Sequence, residues 1–172
     1  MNYLIHSDLH LGHVAVLEFE PERTGFEQTI KHTKHFTNPK DVLINLGDTG
    51  FKDREKWLRK YCECTQAEKI LVKGNHDKNI SYTQFYRFGF DFVCERFDLY
   101  IYKTPFVFTH KPIKVYGNQI NIHGHFHKYK EEIDYRNEYP FYDRKTHILV
   151  DTRNDCKPVN LLKLYEQHLR QY

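Results

Sequence analysis

The stretch KILVKGNHD, residues 69–77, is an apolar run that ends in a glycine followed by polar side chains. A short apolar run of this kind predicts a buried strand, and Gly74 predicts a tight turn directly after it. The same order, apolar run, glycine and carboxylate, occurs in VLINLGD at residues 42–48. Because a helical pattern separates these two runs, they predict neighbouring parallel strands in an α/β sheet.

Helical spacing of apolar residues continues on both sides of these strands. A helix is predicted over residues 26–36, which Asn38 and Pro39 end, and another begins after Asp53. The capping-box pattern SYTQ at residues 81–84 starts a third helix, which Gly89 ends. Further short strands are predicted at residues 3–6, 92–93, 97–102, 106–108, 119–122 and 147–150, with a C-terminal helix near 161–169. Residues 128–145 are predicted to form a long surface excursion.

Length and composition restrict the class of protein. A chain of 172 residues predicts one domain, spanning residues 1–172, with a sizeable core. The formal charge of +3 permits an anionic ligand without requiring a nucleic-acid surface. The four cysteines have no metal-binding spacing, which predicts reduced thiols. Neither a signal peptide nor an apolar run of roughly 18 residues is evident, so we expect a cytoplasmic protein without a membrane partner.

Side chains of metal-binding type follow the predicted strands. These side chains are Asp8, His10, Asp48, Asn75, His76, His110, His125 and His127. Because the carboxyl ends of parallel strands meet at one edge of a sheet, we expect them in one crevice. Carboxylates, imidazoles and an amide without a thiolate suit hard or borderline ions such as manganese, iron, nickel, cobalt or zinc.

Two local features support this expectation. Asp8 and His10 are two residues apart, as are His125 and His127, and residues two apart point the same way in extended backbone. Each pair can therefore face one site. Glycines at positions 47, 74 and 124 precede the polar residues, where glycine permits unusual dihedrals and a close approach of backbone to metal or phosphate.

The motifs SDLH (7–10), GD (47–48), GNHD (74–77), His110 and GHFH (124–127) resemble the five signature motifs of calcineurin-like metallophosphoesterases. The resemblance covers residues 1 to about 159 and includes every motif residue. The opening SDLHLGH (7–13), with VD at 150–151 and KPV at 157–159, resembles a small single-domain bacterial and phage branch of predicted phosphoesterases. The fold implied is α/β, with two packed mixed sheets flanked by helices.

The resemblance also implies roles for individual residues around two divalent ions, with manganese as the first choice. The first ion would be held by Asp8, His10 and His127. The second would be held by Asn75, His110 and His125, and Asp48 would bridge both. His76 would not bind metal but would act as general acid or charged stabiliser at the leaving-group oxygen, and Asp77 would orient it.

Two ions held about 3.5–4 Å apart can bridge a hydroxide, lower its pKa and clamp a phosphoryl group for in-line attack. The resemblance therefore implies a metal-dependent phosphoric ester hydrolase, with nucleotide or nucleic-acid phosphodiesters as the favoured substrates. A phosphomonoesterase or nucleotide pyrophosphatase using the same ions is an alternative. A non-catalytic protein-binding scaffold is another, which the intact ligand set and His76 disfavour.

Residues around the motifs are candidates for substrate binding. His13 belongs to the opening motif of the branch resembled and is a candidate for contact with a substrate phosphate. Lys111 and Lys128 flank the last two motifs, where aromatic residues are interleaved, a pattern that can hold phosphates and stack bases. A solvated lysine-rich rim is the alternative interpretation. His6 and His123 are expected to make hydrogen bonds in the core or behind the ligands.

Overall fold

A computed structural model describes residues 1–127, 137–150 and 156–172. Within these ranges the strands are β1 (Tyr3–His6), β2 (Val42–Asn45), β3 (Glu68–Val72), β4 (Phe92–Cys94), β5 (Phe97–Ile101), β6 (Thr104–Thr109), β7 (Ile120–His123), β8 (His147–Leu149) and β9 (Val159–Asn160). The helices are α1 (Val14–Phe19), α2 (Phe26–Phe36), α3 (Arg54–Glu63), α4 (Tyr82–Phe88) and α5 (Leu161–Gln171).

The strands form two mixed sheets, as the resemblance implied. The first sheet has the order β4-β3-β2-β1-β9, in which β9 is antiparallel to β1 and the other neighbours are parallel. The second has the order β5-β6-β7-β8, in which β5 is antiparallel to β6 and the other pairs are parallel. The carboxyl ends of β1, β2 and β3 therefore lie along one edge of the first sheet, and those of β6 and β7 lie together in the second.

The two sheets share an apolar core. Ile44 and Val72 of the first sheet belong to the same buried cluster as Phe108 and Ile122 of the second. The opposite face of the first sheet packs against α2, α3 and α4 through a second cluster. Burial on both faces explains why the parallel strands are continuous apolar runs in the sequence.

Local signals in the sequence account for the helix ends. The Ser81 side chain accepts a hydrogen bond from the Gln84 backbone N–H, and the Gln84 side chain accepts one from the Ser81 backbone. Gly89 ends α4 with a φ of 109°, a left-handed conformation that glycine adopts without steric cost. The capping box predicted at residues 81–84 is confirmed.

Two short elements were not predicted. Helix α1 has six residues, too few to show a helical period in the sequence, and it buries only Val16. Strand β9 has two residues, which pair with Leu4 and Ile5 of β1.

The four cysteines are free thiols, as expected. Half of the predicted surface excursion, residues 128–136, lies outside the described residues, as do residues 151–155. No helix among the described residues is long and apolar enough to cross a membrane.

Candidate metal centre

Backbone hydrogen bonds connect the loops that follow β1 and β2. Asp8 N–H donates to the Gly47 carbonyl at 3.1 Å, and His10 N–H donates to the Asp48 carbonyl at 2.9 Å. The Asn45 side-chain oxygen accepts from Gly47 N–H at 2.9 Å and so fixes the turn before Asp48. These bonds bring the side chains of the two loops to one place.

One group of ligand atoms comes from Asp8, His10 and His127, all within 4.8 Å of one another. His10 Nε2 lies 3.2 Å from His127 Nε2, and His127 Nε2 lies 3.7 Å from Asp8 Oδ1. Asp8 Oδ1 is buried and has no hydrogen-bond partner among the described residues. Because a buried carboxylate oxygen without a partner is costly, this arrangement fits a cation held between the three side chains.

A second group comes from Asp8, Asp48 and His110. His110 Nδ1 lies 2.7 Å from the Leu46 carbonyl, so Nδ1 carries the proton and donates it there. His110 Nε2 then faces two oxygens, Asn75 Oδ1 at 2.9 Å and Asp48 Oδ2 at 3.3 Å. Either a proton or a metal ion must lie between these atoms, so this group also fits a divalent ion.

The remaining predicted ligand, His125, lies beside the second group. Its ring centre is 5.1 Å from that of His110, and its backbone N–H donates to Asp8 Oδ2 at 3.0 Å. Asp8 is the residue common to both groups, whereas Asp48 belongs to the second. The bridging role of Asp48 therefore stays a prediction.

The ionisation states of these side chains suit metal binding. Burial, together with the neighbouring His127, lowers the pKa of His10 to about 3, so its imidazole is neutral at pH 7. Burial opposes ionisation of Asp48, but the hydrogen bond and charge of His110 hold the pKa of Asp48 at about 2. Although burial again opposes it, Asp48 and Asp8 raise the pKa of His110 to about 9. A metal ion bound there would take the place of the proton that His110 otherwise holds.

The backbone of the predicted ligands differs from the extended conformation that we expected. Five ligands have a left-handed φ, between 46° and 70°: Asp8, His10, Asp48, His125 and His127. Asp8 and His10 still reach one ligand group, whereas His127 belongs to that group and His125 lies beside the second. They do so with left-handed backbone rather than by alternation along a strand. Left-handed conformations are costly for side chains other than glycine, and such strain is concentrated at functional sites.

Glycines allow the loops to approach each other closely. A Cβ at Gly74 would lie 2.1 Å from Asp48 Oδ1 and 2.6 Å from Asp48 N, and a Cβ at Gly124 would lie 2.4 Å from Asp8 Oδ2. Gly47 has a φ of 93°. The close approach at these glycines is between loops, and the expected approach of backbone to metal or phosphate stays a prediction. Among the three positions, the unusual dihedral is found at Gly47.

Comparison with known proteins agrees with this geometry. A family model described as calcineurin-like phosphoesterase matches residues 1–166. The chain belongs to this family. Its members depend on two metal ions and hydrolyse phosphoric esters, so the two ligand groups are the expected place for the ions.

Individual proteins that resemble this chain are mostly without a known function. An uncharacterized protein of Methanocaldococcus jannaschii is 29% identical over 180 residues, covering 96% of this chain and 91% of the relative. A solved structure of a protein of unknown function from Aquifex aeolicus has a TM-score of 0.73 at 23% identity, covering 96% of this chain and 98% of that one. The phosphoesterase YfcE from E. coli matches with a TM-score of 0.44 at 16% identity, covering 74% and 70% of the two chains.

The phosphoesterase centre includes two residues that the sequence analysis did not predict. Glu20 Oε1 accepts a hydrogen bond from His127 Nδ1 at 2.6 Å, which leaves Nε2 directed towards Asp8 and His10. Arg23 pairs with Glu20 at 2.6 Å and donates to the Asp8 carbonyl at 2.7 Å. Acidic and basic residues three positions apart are common on polar stretches. The spacing of Glu20 and Arg23 therefore could not indicate their contacts with the centre.

His76 lies on the open side of the phosphoesterase centre, with 43% of its side chain exposed. Its Nε2 is 3.9 Å from Asp48 Oδ2, and its backbone N–H donates to Asp48 Oδ1 at 2.8 Å. We expected Asp77 to orient the His76 ring, but the hydrogen bonds of Asp77 are different. Its Oδ2 accepts from Gly74 N–H at 2.9 Å and from Asp48 N–H at 2.8 Å, so it connects the loops after β2 and β3.

The other predicted residues lie around the centre. The His13 ring is 5.8 Å from that of His10 and stacks on Phe51 at 4.1 Å. Lys111 is exposed beside His110, and Lys128 lies outside the described residues. Both expected core histidines make hydrogen bonds, His6 to Tyr61 and His123 to the Gly124 carbonyl and Tyr142.

Proposed function

We propose that this phosphoesterase hydrolyses phosphodiester bonds of the nucleotide or nucleic-acid type, with two divalent ions of which manganese is the first candidate. The observation that supports this most directly is the pair of adjoining ligand groups that share Asp8, with His76 exposed beside them. A site of this kind holds an anionic ester next to a proton donor. We also propose that residues 1–172 form a single catalytic domain.

Bound divalent ions supply a nucleophile at neutral pH and stabilise the charge that develops on the phosphoryl group. Asp8 and Asp48 contribute the negative charge that holds such ions. Glu20 and the Leu46 carbonyl each fix the Nδ1 proton of a histidine ligand, on His127 and His110, and so keep the Nε2 atoms directed at the site. Asp77 holds Asp48 in place through the backbone.

His76 is proposed to donate a proton to the leaving-group oxygen. Its ring is exposed, and no hydrogen bond among the described residues is made by its side chain, so its Nε2–H is available to a substrate. An imidazole can carry a proton at neutral pH, which suits a general acid for an alkoxide leaving group.

A nucleotide-type substrate is favoured by the aromatic wall next to His76. Phe51 is 40% exposed, and its ring centre lies 5.7 Å from that of His76 and 4.1 Å from that of His13. An exposed ring beside a phosphate site offers a stacking surface for a base. His13 on the same wall is proposed to contact a substrate phosphate.

A substrate panel tests the proposal. Chelator-treated protein is supplied in turn with manganese, iron, nickel, cobalt or zinc, and assayed with a bis-aryl phosphate, an aryl monophosphate, cyclic nucleotides, a dinucleoside polyphosphate and single-stranded nucleic acid. We expect the highest kcat/KM with a diester and manganese. A higher value for the aryl monophosphate or the dinucleoside polyphosphate contradicts the diester assignment. Inactivity throughout, with no metal bound, contradicts the enzyme assignment.

A further inference from the structure

A cavity of about 390 Å³ adjoins the second ligand group. It lies between the loop after β3 in the first sheet and the loop after β6 in the second. Asn75 and His110, joined by the 2.9 Å contact, form the part of its wall that faces the metal centre. Its volume falls within the range of roughly 300–1,000 Å³ typical of small-molecule sites, so it admits a substantial chemical group.

The wall of this cavity carries an excess of positive charge. Its charged side chains, other than His110, are Lys73, Lys78, Lys111 and Glu95. The ion pairs of the described residues include none of these three lysines. Elsewhere Lys60 and Lys69 each have a carboxylate within 3.2 Å. Lysines that converge on one concave surface without carboxylate partners favour an anion.

Part of this wall is held in position before any ligand arrives. Lys73 Nζ donates to the Ile80 carbonyl at 2.9 Å and lies 4.8 Å from the centre of the Tyr82 ring. Its ammonium group therefore has a fixed location and two further N–H donors. Thr109 Oγ1 donates to the Lys111 carbonyl at 2.6 Å and fixes the backbone from which Lys111 projects. A preorganised cation binds an anion at a smaller entropic cost than a mobile one.

We propose that this cavity, which we call the lysine pocket, holds a second phosphoryl group of the substrate. The inference rests on the proposed function, because it assumes that the reacting phosphoryl group lies at the metal centre. The Asn75–His110 contact forms both the edge of that centre and a wall of the lysine pocket. A substrate with two or more phosphates can then occupy both, with the reacting phosphoryl at the ions and another among the lysines. Among phosphodiesters, those with a second phosphate should thus be preferred to those with a single one. The second phosphate can belong to a polynucleotide backbone or to a polyphosphate chain.

A matched pair of substrates isolates the contribution of the second phosphate. The p-nitrophenyl ester of thymidine 5′-phosphate is compared with the same compound carrying an additional 3′-phosphate, using the manganese-loaded protein. We expect kcat/KM to be about tenfold higher for the compound with the 3′-phosphate, as one charge-assisted hydrogen bond would give. In the double variant Lys78→Ala/Lys111→Ala this preference should largely disappear. Both lysines are exposed, so their removal leaves no buried group unpaired.

The control is the double variant Lys34→Ala/Lys163→Ala, which removes the same charge from exposed positions on α2 and α5. It should keep the preference of the unmodified protein. An equal loss of preference in both double variants would mean that overall charge is responsible, and would overturn the lysine pocket. So would a loss of kcat/KM in Lys78→Ala/Lys111→Ala that is the same for both substrates.

A third substrate, a dinucleoside polyphosphate, distinguishes the source of the second phosphate. If the pocket variant loses selectivity for the 3′-phosphate compound, the pocket holds a polynucleotide backbone. If it instead loses kcat/KM on the dinucleoside polyphosphate alone, the pocket holds a polyphosphate chain. If the unmodified protein hydrolyses the single-phosphate ester but shows no preference for a second phosphate of either kind, the inference is wrong and the proposed function stands. If it hydrolyses none of the three, the proposed function fails.

Discussion

At the scale of single residues, the proposed general acid His76 can be tested separately from the proposed metal ligands. Its side chain lies 3.9 Å from Asp48 Oδ2 without bonding to it, while its backbone N–H makes the bond to Asp48. We expect His76→Ala to keep its fold and metal content and to lose about 10²–10⁴-fold in kcat on esters with poor leaving groups. Activated aryl esters, which need no protonation, should lose much less. Steady-state kinetics on both classes, with metal analysis, measures this.

The comparison of the two ester classes also serves as the control for His76. Loss of metal in His76→Ala would show that the ring supports the ions rather than the leaving group. An equal loss of kcat on both ester classes would remove the general-acid assignment, because a proton donor matters in proportion to the basicity of the leaving oxygen.

Glu20 is a second residue whose role can be tested separately. Its carboxylate accepts from His127 Nδ1 and so directs Nε2 towards the first ligand group. In Glu20→Gln we expect the affinity for the first ion to fall about 10- to 100-fold, as is typical when the partner of a metal-binding histidine is changed. Titration of the chelator-treated protein with manganese measures it. Glu18→Gln changes an exposed carboxylate on α1, two residues before Glu20, and should bind manganese as the unmodified protein does.

The proposed ligands could be located from sequence, but the residues that hold them could not. Asp8, His10 and His127 are recognisable because they stand after strands in a fixed order. Glu20 and Arg23 follow a short helix with a single buried residue, and their contacts with His127 and Asp8 exist only in the folded chain. The left-handed backbone of the ligands was also unpredictable, since the i, i+2 spacing fits an extended strand equally well.

At the scale of elements, the site depends on how closely the loop after β3 approaches the loop after β2. A Cβ at Gly74 would contact the Asp48 backbone at 2.6 Å, so the loops must separate in Gly74→Ala. We expect this variant to lose about 1–3 kcal/mol in the free energy of unfolding, as overpacked sites do, and to bind metal poorly. Denaturant unfolding and metal analysis test both effects.

Gly25 provides the matched glycine control, because a Cβ there has no atom within 4 Å and its φ is −63°. Gly25→Ala at the start of α2 should keep full metal binding and lose at most about 1 kcal/mol as a changed N-cap. If both variants behave alike, the close approach of the loops is not what restricts position 74.

Elements with a strong local signal were the predictable ones. The parallel strands β1, β2 and β3 are apolar because both of their faces are buried, and α4 has a capping box at its start and Gly89 at its end. Strand β9 exists because β1 offers an unpaired edge to residues 159–160, a tertiary interaction that no local pattern encodes. The packing of the second sheet on the first was predicted from the family resemblance and not from periodicity.

At the scale of the whole molecule, the candidate metal centre draws its residues from both sheets. Asp8 and Asp48 follow strands of the first sheet, whereas His110 and His127 follow strands of the second. Because the ligands converge only in the folded chain, divalent ions should bind the native state and not the unfolded one. Ligand binding to the native state alone raises stability by about 2.7 kcal/mol at a free concentration 100 times the Kd.

We therefore expect the Tm of chelator-treated protein to rise with added manganese and to continue rising as its free concentration increases. Asp48→Asn removes one of the two carboxylate charges and should bind both ions more weakly if Asp48 bridges them, so its Tm should rise far less over the same range. Glu18→Gln, which lies outside the ligand groups, should follow the unmodified protein. Calorimetry across a manganese series measures all three. If the Tm of the unmodified protein does not depend on manganese, the proposed ligands are not a metal site. If Asp48→Asn keeps full metal occupancy and the same Tm response, only the bridging role of Asp48 is excluded.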